Sequence, residues 1–342
     1  MGEFVDKSIS LIPDWHKPRS LVLVWPEKLH NRDKLIRFYK EFISLLPSGL
    51  ELTLILKNKE IEKRIPSDLQ KINPEITIKY FVIPYVHDIW IRDWAPFIGV
   101  NVDGNKAVAK MIYAPKKVPK KSAEADGKAG YEIAELFKYK ILEYPAKWDG
   151  GNLTHNGNNN GIVTENLLED NEFMRDENIM FVIANLKLED LSTIEAEPGD
   201  ETKHTDGFIR FIDEKILMIA AYPNKYYKGE QLISEEELTE SREFMDSVAE
   251  QYAEDFAVVR ITNSIPTTRM TEGMPSAVGN YINFLRLGDK VLIPQYGLRE
   301  DEAAYNEFAK FFGKTNVIKI SKDISKLADL GGVLNCFSWV AF

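Results

Sequence analysis

Cysteine is almost absent from this chain: Cys336 is the one thiol in 342 residues. A single thiol excludes an intramolecular disulfide framework and any zinc site built from several thiolates. Histidine is scarce as well, with five in all. His16, His30, His87, His155 and His204 show neither H-x-H nor H-x-x-x-H spacing, so no metal site is expected. Long apolar runs are missing too. No stretch approaches the ~18 consecutive apolar residues of a membrane span, and Met1 to Asp6 lack the basic and apolar segments of a secretory signal. A cytoplasmic protein that does not cross a bilayer is the expectation. Positive charge is in deficit, with 43 Lys and Arg against 53 Asp and Glu and a formal net charge of -10. That balance argues against nucleic acid as partner and mildly favours a cationic one. No G-x-G-x-x-G or Walker A sequence follows any strand-like run, so nothing offers a phosphate cradle. No Ser/Gly-rich or Pro-rich linker divides the chain, and a single domain over residues 1–342 is expected.

What is present is an ordinary globular composition, 44% hydrophobic and 28% charged, in a chain long enough to bury a large core. Runs rich in Val, Ile, Phe and Tyr predict strands over Ser20–Trp25, Glu51–Leu56, Ile76–Ile83, Ala107–Tyr113, Phe208–Ile219, Phe256–Ile261, Tyr281–Leu285, Val291–Pro294, Val317–Ile320 and Val333–Val340. Helical patterns fall over Asp33–Leu46, Glu60–Lys71, Ala123–Phe137, Ser234–Tyr252 and Glu300–Phe312, the last two opening with acidic or hydroxyl capping chemistry. The polar cluster Asn156–Gly161 reads as a turn, and Lys116, Lys117, Lys120 and Lys121 as an exposed loop. Strands alternating with helices predict an α+β or α/β protein. With two or three strands per helix, the rhythm is that of a small module repeated about five times.

Four short segments carry residue types suited to chemistry. Trp90-Ile-Arg-Asp-Trp-Ala-Pro-Phe97 sets Arg92 and Asp93 between two tryptophans, either an amphipathic loop over the core or an aromatic-walled pocket for a cation. Trp148-Asp-Gly-Gly-Asn152 pairs an acid with two glycines, as a turn or as a place of close backbone approach. His204-Thr-Asp206 in an extended segment would turn a histidine and a carboxylate to one strand face, suiting a general acid/base beside a substrate-binding acid. Leu330-Gly-Gly-Val-Leu-Asn-Cys-Phe-Ser-Trp339 holds the lone thiol beside Asn335. A core cysteine is one reading of it, a thiol nucleophile the other.

In their order along the chain, Arg92-Asp93-x-x-Pro96, Asp149-Gly-Gly-Asn152, Thr164-Glu165-Asn166, His204-x-Asp206 with Arg210-Phe211, Tyr281-x-Asn283-Phe284 and Gly331-Gly332 before Cys336 resemble the agmatine deiminase and Porphyromonas-type peptidyl-arginine deiminase family, in the guanidine-modifying superfamily. The resemblance implies an α/β propeller (pentein fold) of five ββαβ-like modules around a pseudo-fivefold axis, with the site in the central channel. It implies Cys336 as nucleophile, His204 as general acid/base, and Asp93 and Asp206 as carboxylates gripping a guanidinium. Asp149 corresponds to an acid beside the histidine, and Asn283 to a position near the site. Gly332, Trp90 and Trp94 are further expected substrate contacts, and Trp148 and Trp339 could line the same pocket. The implied reaction is agmatine plus water to N-carbamoylputrescine and ammonia, feeding polyamine biosynthesis, with no cofactor and a homodimer as assembly. Peptidyl-arginine or free arginine deimination, an amidinotransferase and a catalytically silent guanidine-binding relative are the alternatives. Three positions depart from the usual agmatine deiminase pattern: Asp149 stands where Glu is common, Ala95 where Gly is, and Gly-Gly-Val-Leu-Asn-Cys replaces a longer glycine run with a His.

Overall fold

The computed structural model describes residues 6–27, 32–65, 69–174, 176–223, 234–263, 270–271 and 274–342. The chain begins with β1 (Ile9–Leu11), β2 (Ser20–Val24), α1 (Arg32–Ser44), β3 (Glu51–Leu56), the short helices α2 (Lys59–Arg64) and α3 (Leu69–Ile72), and β4 (Thr77–Val82). Next come α4 (Ile91–Trp94), β5 (Phe97–Asn101), β6 (Lys106–Ile112), α5 (Lys120–Leu136), β7 (Lys140–Lys147), β8 (Thr154–His155), β9 (Asn160–Thr164), α6 (Asn166–Asp170), α7 (Asp176–Asn185) and β10 (Asp190–Ile194). The second half holds β11 (Ile209–Asp213), β12 (Ile216–Ala221), α8 (Glu235–Tyr252), β13 (Ala257–Thr262), the small hairpin β14 (Met270–Thr271) and β15 (Met274–Pro275), then β16 (Leu285–Leu287), β17 (Lys290–Pro294), α9 (Glu300–Phe312), β18 (Val317–Ile320), α10 (Ser325–Ala328) and β19 (Ser338–Ala341).

Apart from the hairpin, these strands form five sheets with one recurring order. In each, an antiparallel pair is followed by a helix and then by a strand parallel to the second: β5-β6-α5-β7, β8-β9-α6-α7-β10, β11-β12-α8-β13 and β16-β17-α9-β18. The remaining sheet takes its antiparallel member from the far end of the chain, with β19 beside β2 and β2 parallel to β3 across α1. A parallel pair cannot be joined by a tight turn, so each second strand needs a helical crossover to reach its neighbour. The rhythm of the sequence is thus a repeated topology.

Several strands predicted from composition lie where expected, β2, β3, β4, β6, β17 and β18 among them. β2 is buried at all of its positions, as its unbroken apolar run demands. Ser234 caps α8 through a capping box with Glu237. At α9, by contrast, Asp301 turns away from the helix end and accepts N–H groups of Tyr296, Gly297 and Leu298. The 60–71 helix is two pieces, α2 and α3, with residues 66–68 outside the described part. Phe208–Ile219 is the hairpin β11–β12 rather than one strand. Strands β5, β7, β9 and β10 and helix α7 were not legible in the apolar pattern. β7, for instance, alternates buried and exposed residues and carries Lys, Glu and Pro on its outer positions.

Candidate active site

The segments rich in chemistry are not strands but the connectors between successive sheets. Asp93 lies in α4, between β4 and β5; Asp149 follows β7; His204 and Asp206 precede β11; Asn283 precedes β16; and Cys336 precedes β19. Each of the five sheets is therefore entered through a connector that delivers one part of a single cluster.

Local chemistry shapes each connector. Asp88 folds the first one, accepting the Trp90 N–H at 2.9 Å and the Trp94 Nε1–H at 3.0 Å. The second is stitched to it through Gly150 and Gly151, whose N–H groups donate to the Asp93 carbonyl at 3.0 Å and to Asp93 Oδ1 at 3.1 Å. Side chains cannot replace these glycines. A Cβ at Gly150 would stand 2.0 Å from the Arg92 carbonyl, and one at Gly151 would stand 2.6 Å from His204 Nδ1 and 2.7 Å from Asp93 Oδ1. The Gly151 carbonyl in turn accepts the Asp206 N–H at 3.2 Å and the Thr205 hydroxyl at 3.3 Å, drawing in the third connector.

The His204 segment is not the extended strand its spacing predicts. His204 itself is extended, but Thr205–Gly207 forms a 3-10 turn, so the two side chains do not share a strand face. They meet the same cluster all the same. His204 is 6% exposed, with Nδ1 3.6 Å from Asp93 Oδ1 and Nε2 3.6 Å from Asp149 Oδ2. The shorter acid at 149 still reaches the imidazole.

Cys336 likewise sits in a turn ahead of β19, not within a strand over Val333–Val340. Its neighbour Phe337 fixes that turn, packed against Phe38, Tyr39 and Phe42 of α1 at ring separations of 5.8, 5.9 and 5.1 Å. Burying one such ring contributes about 2–3 kcal/mol. The half-buried thiol has Sγ 3.7 Å from Asp206 Oδ2 and accepts from Asn283 Nδ2 at 3.1 Å. Asn283 Oδ1 also accepts the backbone N–H groups of Asn335 and Cys336 at 3.0 and 3.2 Å. The predicted strand Tyr281–Leu285 begins only at Leu285. Arg210 holds the irregular part, donating to the carbonyls of Phe284 at 2.5 Å and Ile282 at 3.5 Å.

Of the four tryptophans considered for the pocket, one stands at the thiol. A Cβ on Gly332 would lie 2.6 Å from the Trp90 ring and 2.9 Å from Cys336 Cβ, so the glycine permits the ring to close beside the nucleophilic candidate. Trp94 is a correction to the expected contacts: it is 1% exposed, with its indole N–H on Asp88. Trp148 and Trp339 are buried too, donating to the carbonyls of Asn152 and Pro96. Three indoles find their partners inside the core, as buried tryptophans generally must. The lysines at 116 and 117 are exposed and pair with Asp170 and Glu201. One residue at the centre lay outside the expected set. Asn335, 4% exposed, donates from Nδ2 to Asp206 Oδ2 at 2.6 Å, and its place beside Cys336 was the only signal for it.

The electrostatics follow from three acids around one imidazole. Burial works against a charged His204, yet Asp93, Asp149 and Asp206 together push its pKa up to about 10. Asp93 is driven up to about 8, by burial and then by Asp149, Asp206 and Asp88, against the pull of His204. The Cys336 thiol is raised well above its usual range by burial, Asp206 and Asp93, while the Val333 backbone and the Asn283 amide act in the opposite sense. The cluster thus couples a ready imidazolium to a thiol that lacks a compensating cation. Among the described residues no group of three or more His, Cys, Asp or Glu is arranged to hold a metal ion, and no helix is long and apolar enough to cross a membrane.

Residues 10–340 match the model of a family described as Porphyromonas-type peptidyl-arginine deiminase. Agmatine deiminase of C. jejuni superposes with a TM-score of 0.79 at 18% identity, covering 98% of this chain and 96% of that one. Its Cys-to-Ser variant with substrate bound gives 0.76 at 18%, with the same coverage. Agmatine deiminase of Enterococcus faecalis gives 0.77 at 15%, covering 100% and 98%. At such identities the likeness establishes the fold. A search of curated protein sequences finds no match.

Proposed function

The chain belongs to the Porphyromonas-type peptidyl-arginine deiminase family, and from that membership we propose that it hydrolyses a guanidinium group through a Cys336 thiolate, with agmatine as substrate. The observation that supports this most is the cluster the connectors form: a thiol with Asp206 at 3.7 Å and the Asn283 amide at 3.1 Å, and in the same cluster an imidazole flanked by the carboxylates of Asp93 and Asp149. In this reading residues 1–342 are one catalytic domain, its five modules are disposed about a pseudo-fivefold axis, and the connectors meet on that axis.

A guanidinium is planar, cationic and resonance-stabilised, so water attacks it very slowly. Asp206 and Asp93 accept its N–H groups in pairs and hold its central carbon over Sγ, the arriving cation favouring the ionised form of Asp93, whose proton leaves to solvent. The same cation supplies the positive charge that the thiol lacks, which brings the thiolate within reach at neutral pH. Sγ attacks carbon to give a tetrahedral adduct. His204 as imidazolium protonates the departing nitrogen, which leaves as ammonia, and an S-alkylthiouronium remains. The neutral imidazole then takes a proton from water; hydroxide adds to the same carbon, the C–S bond breaks to return the thiolate, and the hydroxyl proton passes to solvent as the ureido carbonyl forms. The electrophile carries its own charge throughout, and the scheme requires no cofactor.

The name of the family favours a second substrate, a peptidyl arginine, which requires room for a neutral backbone rather than a terminal ammonium. Incubating the protein with agmatine, free arginine and a blocked arginyl peptide, and measuring ammonia and ureido product beside Cys336→Ser, separates these. Release from agmatine alone, abolished in the variant, is the expected result. Turnover of the peptide instead transfers the assignment to protein modification, and release from none of the three removes it.

A further inference from the structure

A second polar cluster lies beside the first and takes no part in the chemistry above. Arg92 Nε and His155 Nδ1 are buried and make no hydrogen bond. Both residues line a cavity of about 40 Å³, together with Asp14, Gly150, Trp339 and Phe342. Neither Cys336, His204, Asp93 nor Asp206 borders it. Among the side chains lining it the one acid, Asp14, is committed to Arg210 Nη2 at 2.5 Å, and among the described residues no Asp or Glu carboxylate comes within ion-pair distance of the Arg92 guanidinium.

The charges do not balance. Arg92 and Arg210 bring two positive charges and Asp14 one negative charge, while burial holds the His155 imidazole neutral, its pKa lowered to about 4. Among these side chains one cation is left over, on the wall of the same cavity as an imidazole nitrogen without a partner. Leaving a cation and a polar atom uncompensated in such surroundings is costly. The volume exceeds the one or two tens of Å³ that a single water needs and suits one small ion.

We propose that this cavity is a binding site for a small monovalent anion, of halide or formate size, held by the Arg92 guanidinium and the His155 imidazole. The site touches the catalytic cluster through the backbone. The Arg92 N–H donates to the Cys336 carbonyl at 3.2 Å, and Gly150, on the cavity wall, donates to the Asp93 carbonyl at 3.0 Å. An occupant therefore ties down the chain on both sides of Asp93.

The test reads binding alone and stands whether or not the proposed deimination is correct. The full chain is melted at constant ionic strength in sodium bromide, formate or gluconate, and crystals grown in bromide are examined for anomalous scattering. Expected are a saturable rise in melting temperature with bromide or formate over gluconate, the two arms separating halide from carboxylate, and a bromide peak against Arg92. Arg92→Met is expected to abolish both. His155→Phe, which keeps the ring and introduces no charge, is expected to weaken binding about tenfold through the lost hydrogen bond to a charged group, and it decides the matter if Arg92→Met fails to fold. Melts in bromide and in formate that both coincide with the melt in gluconate, a cavity holding water only in both salts, a peak that survives Arg92→Met, or undiminished binding in His155→Phe each overturn the proposal.

Discussion

His204 and His155 start from the same ordinary pKa of 6.5, are both removed from water, and finish in opposite states. Burial alone drives each toward neutrality. At His204 three acids, Asp93, Asp149 and Asp206, outweigh it and keep the ring an imidazolium up to about pH 10. At His155 the one acid, Asp14, also serves Arg210, and Arg92 adds a repelling charge, so burial prevails and the pKa falls to about 4. The lesson is that a histidine's charge is set by which connectors end beside it. One cluster has spare negative charge and awaits a cation; its neighbour has spare positive charge.

The comparison can be broken most severely at His204. Replacing it by Gln removes the proposed proton donor and later base, and ammonia release from the preferred guanidine is expected to fall about 10³-fold. A loss of less than tenfold would leave His204 no part in the chemistry. Next in size is the effect of a cation on the thiol. Thiolate absorbance titrated with and without guanidinium ion is expected to show a midpoint lower by about one pH unit or more when the ion is present; coincident curves would remove substrate assistance. Asn335 offers a smaller perturbation of the same acidic cluster. Asn335→Ala deletes the 2.6 Å donor to Asp206, and we expect KM to rise about tenfold with a smaller change in kcat.

The least effect concerns stability, and there the two clusters act on opposite limbs of the pH profile. His204 is charged in the fold at pH values where the unfolded chain is neutral. Its contribution is therefore complete below about 6.5 and is lost as pH rises through about 10. His155 stays neutral in the fold while the unfolded chain takes up a proton, so stability declines as pH falls from 6.5 toward 4. Thermal melts are expected to show both limbs, and His155→Phe is expected to flatten the acid one. An acid limb unchanged in that variant would place its cause elsewhere.

Much of this was legible in the amino-acid order. Runs rich in Val, Ile and Leu located β2, β3 and β17 because a strand buried on both faces is apolar at nearly every position. The module rhythm followed from the spacing of such runs, and the ordered motifs with the family they resemble pointed to Cys336, His204, Asp206, Asp93, Asp149 and Asn283, which the fold gathers into one cluster. What local pattern could not settle is anything that depends on a neighbour remote in the chain. Trp90 and Trp94 are four residues apart, yet one stands beside the thiol and the other carries its indole on Asp88. The turn at Cys336 looks extended in sequence because Val333, Leu334 and Phe337 around it are apolar, but that apolarity serves burial, as with Phe337 against α1. The charge of each histidine required knowing which groups lie within about 4 Å, where electrostatic interactions in a protein interior become decisive. Residue order carried the repeated strands and the candidate groups for chemistry; the meeting of five connectors alone determined which groups touch, because hydrophobic periodicity is local whereas a pKa and a contact belong to the packed whole.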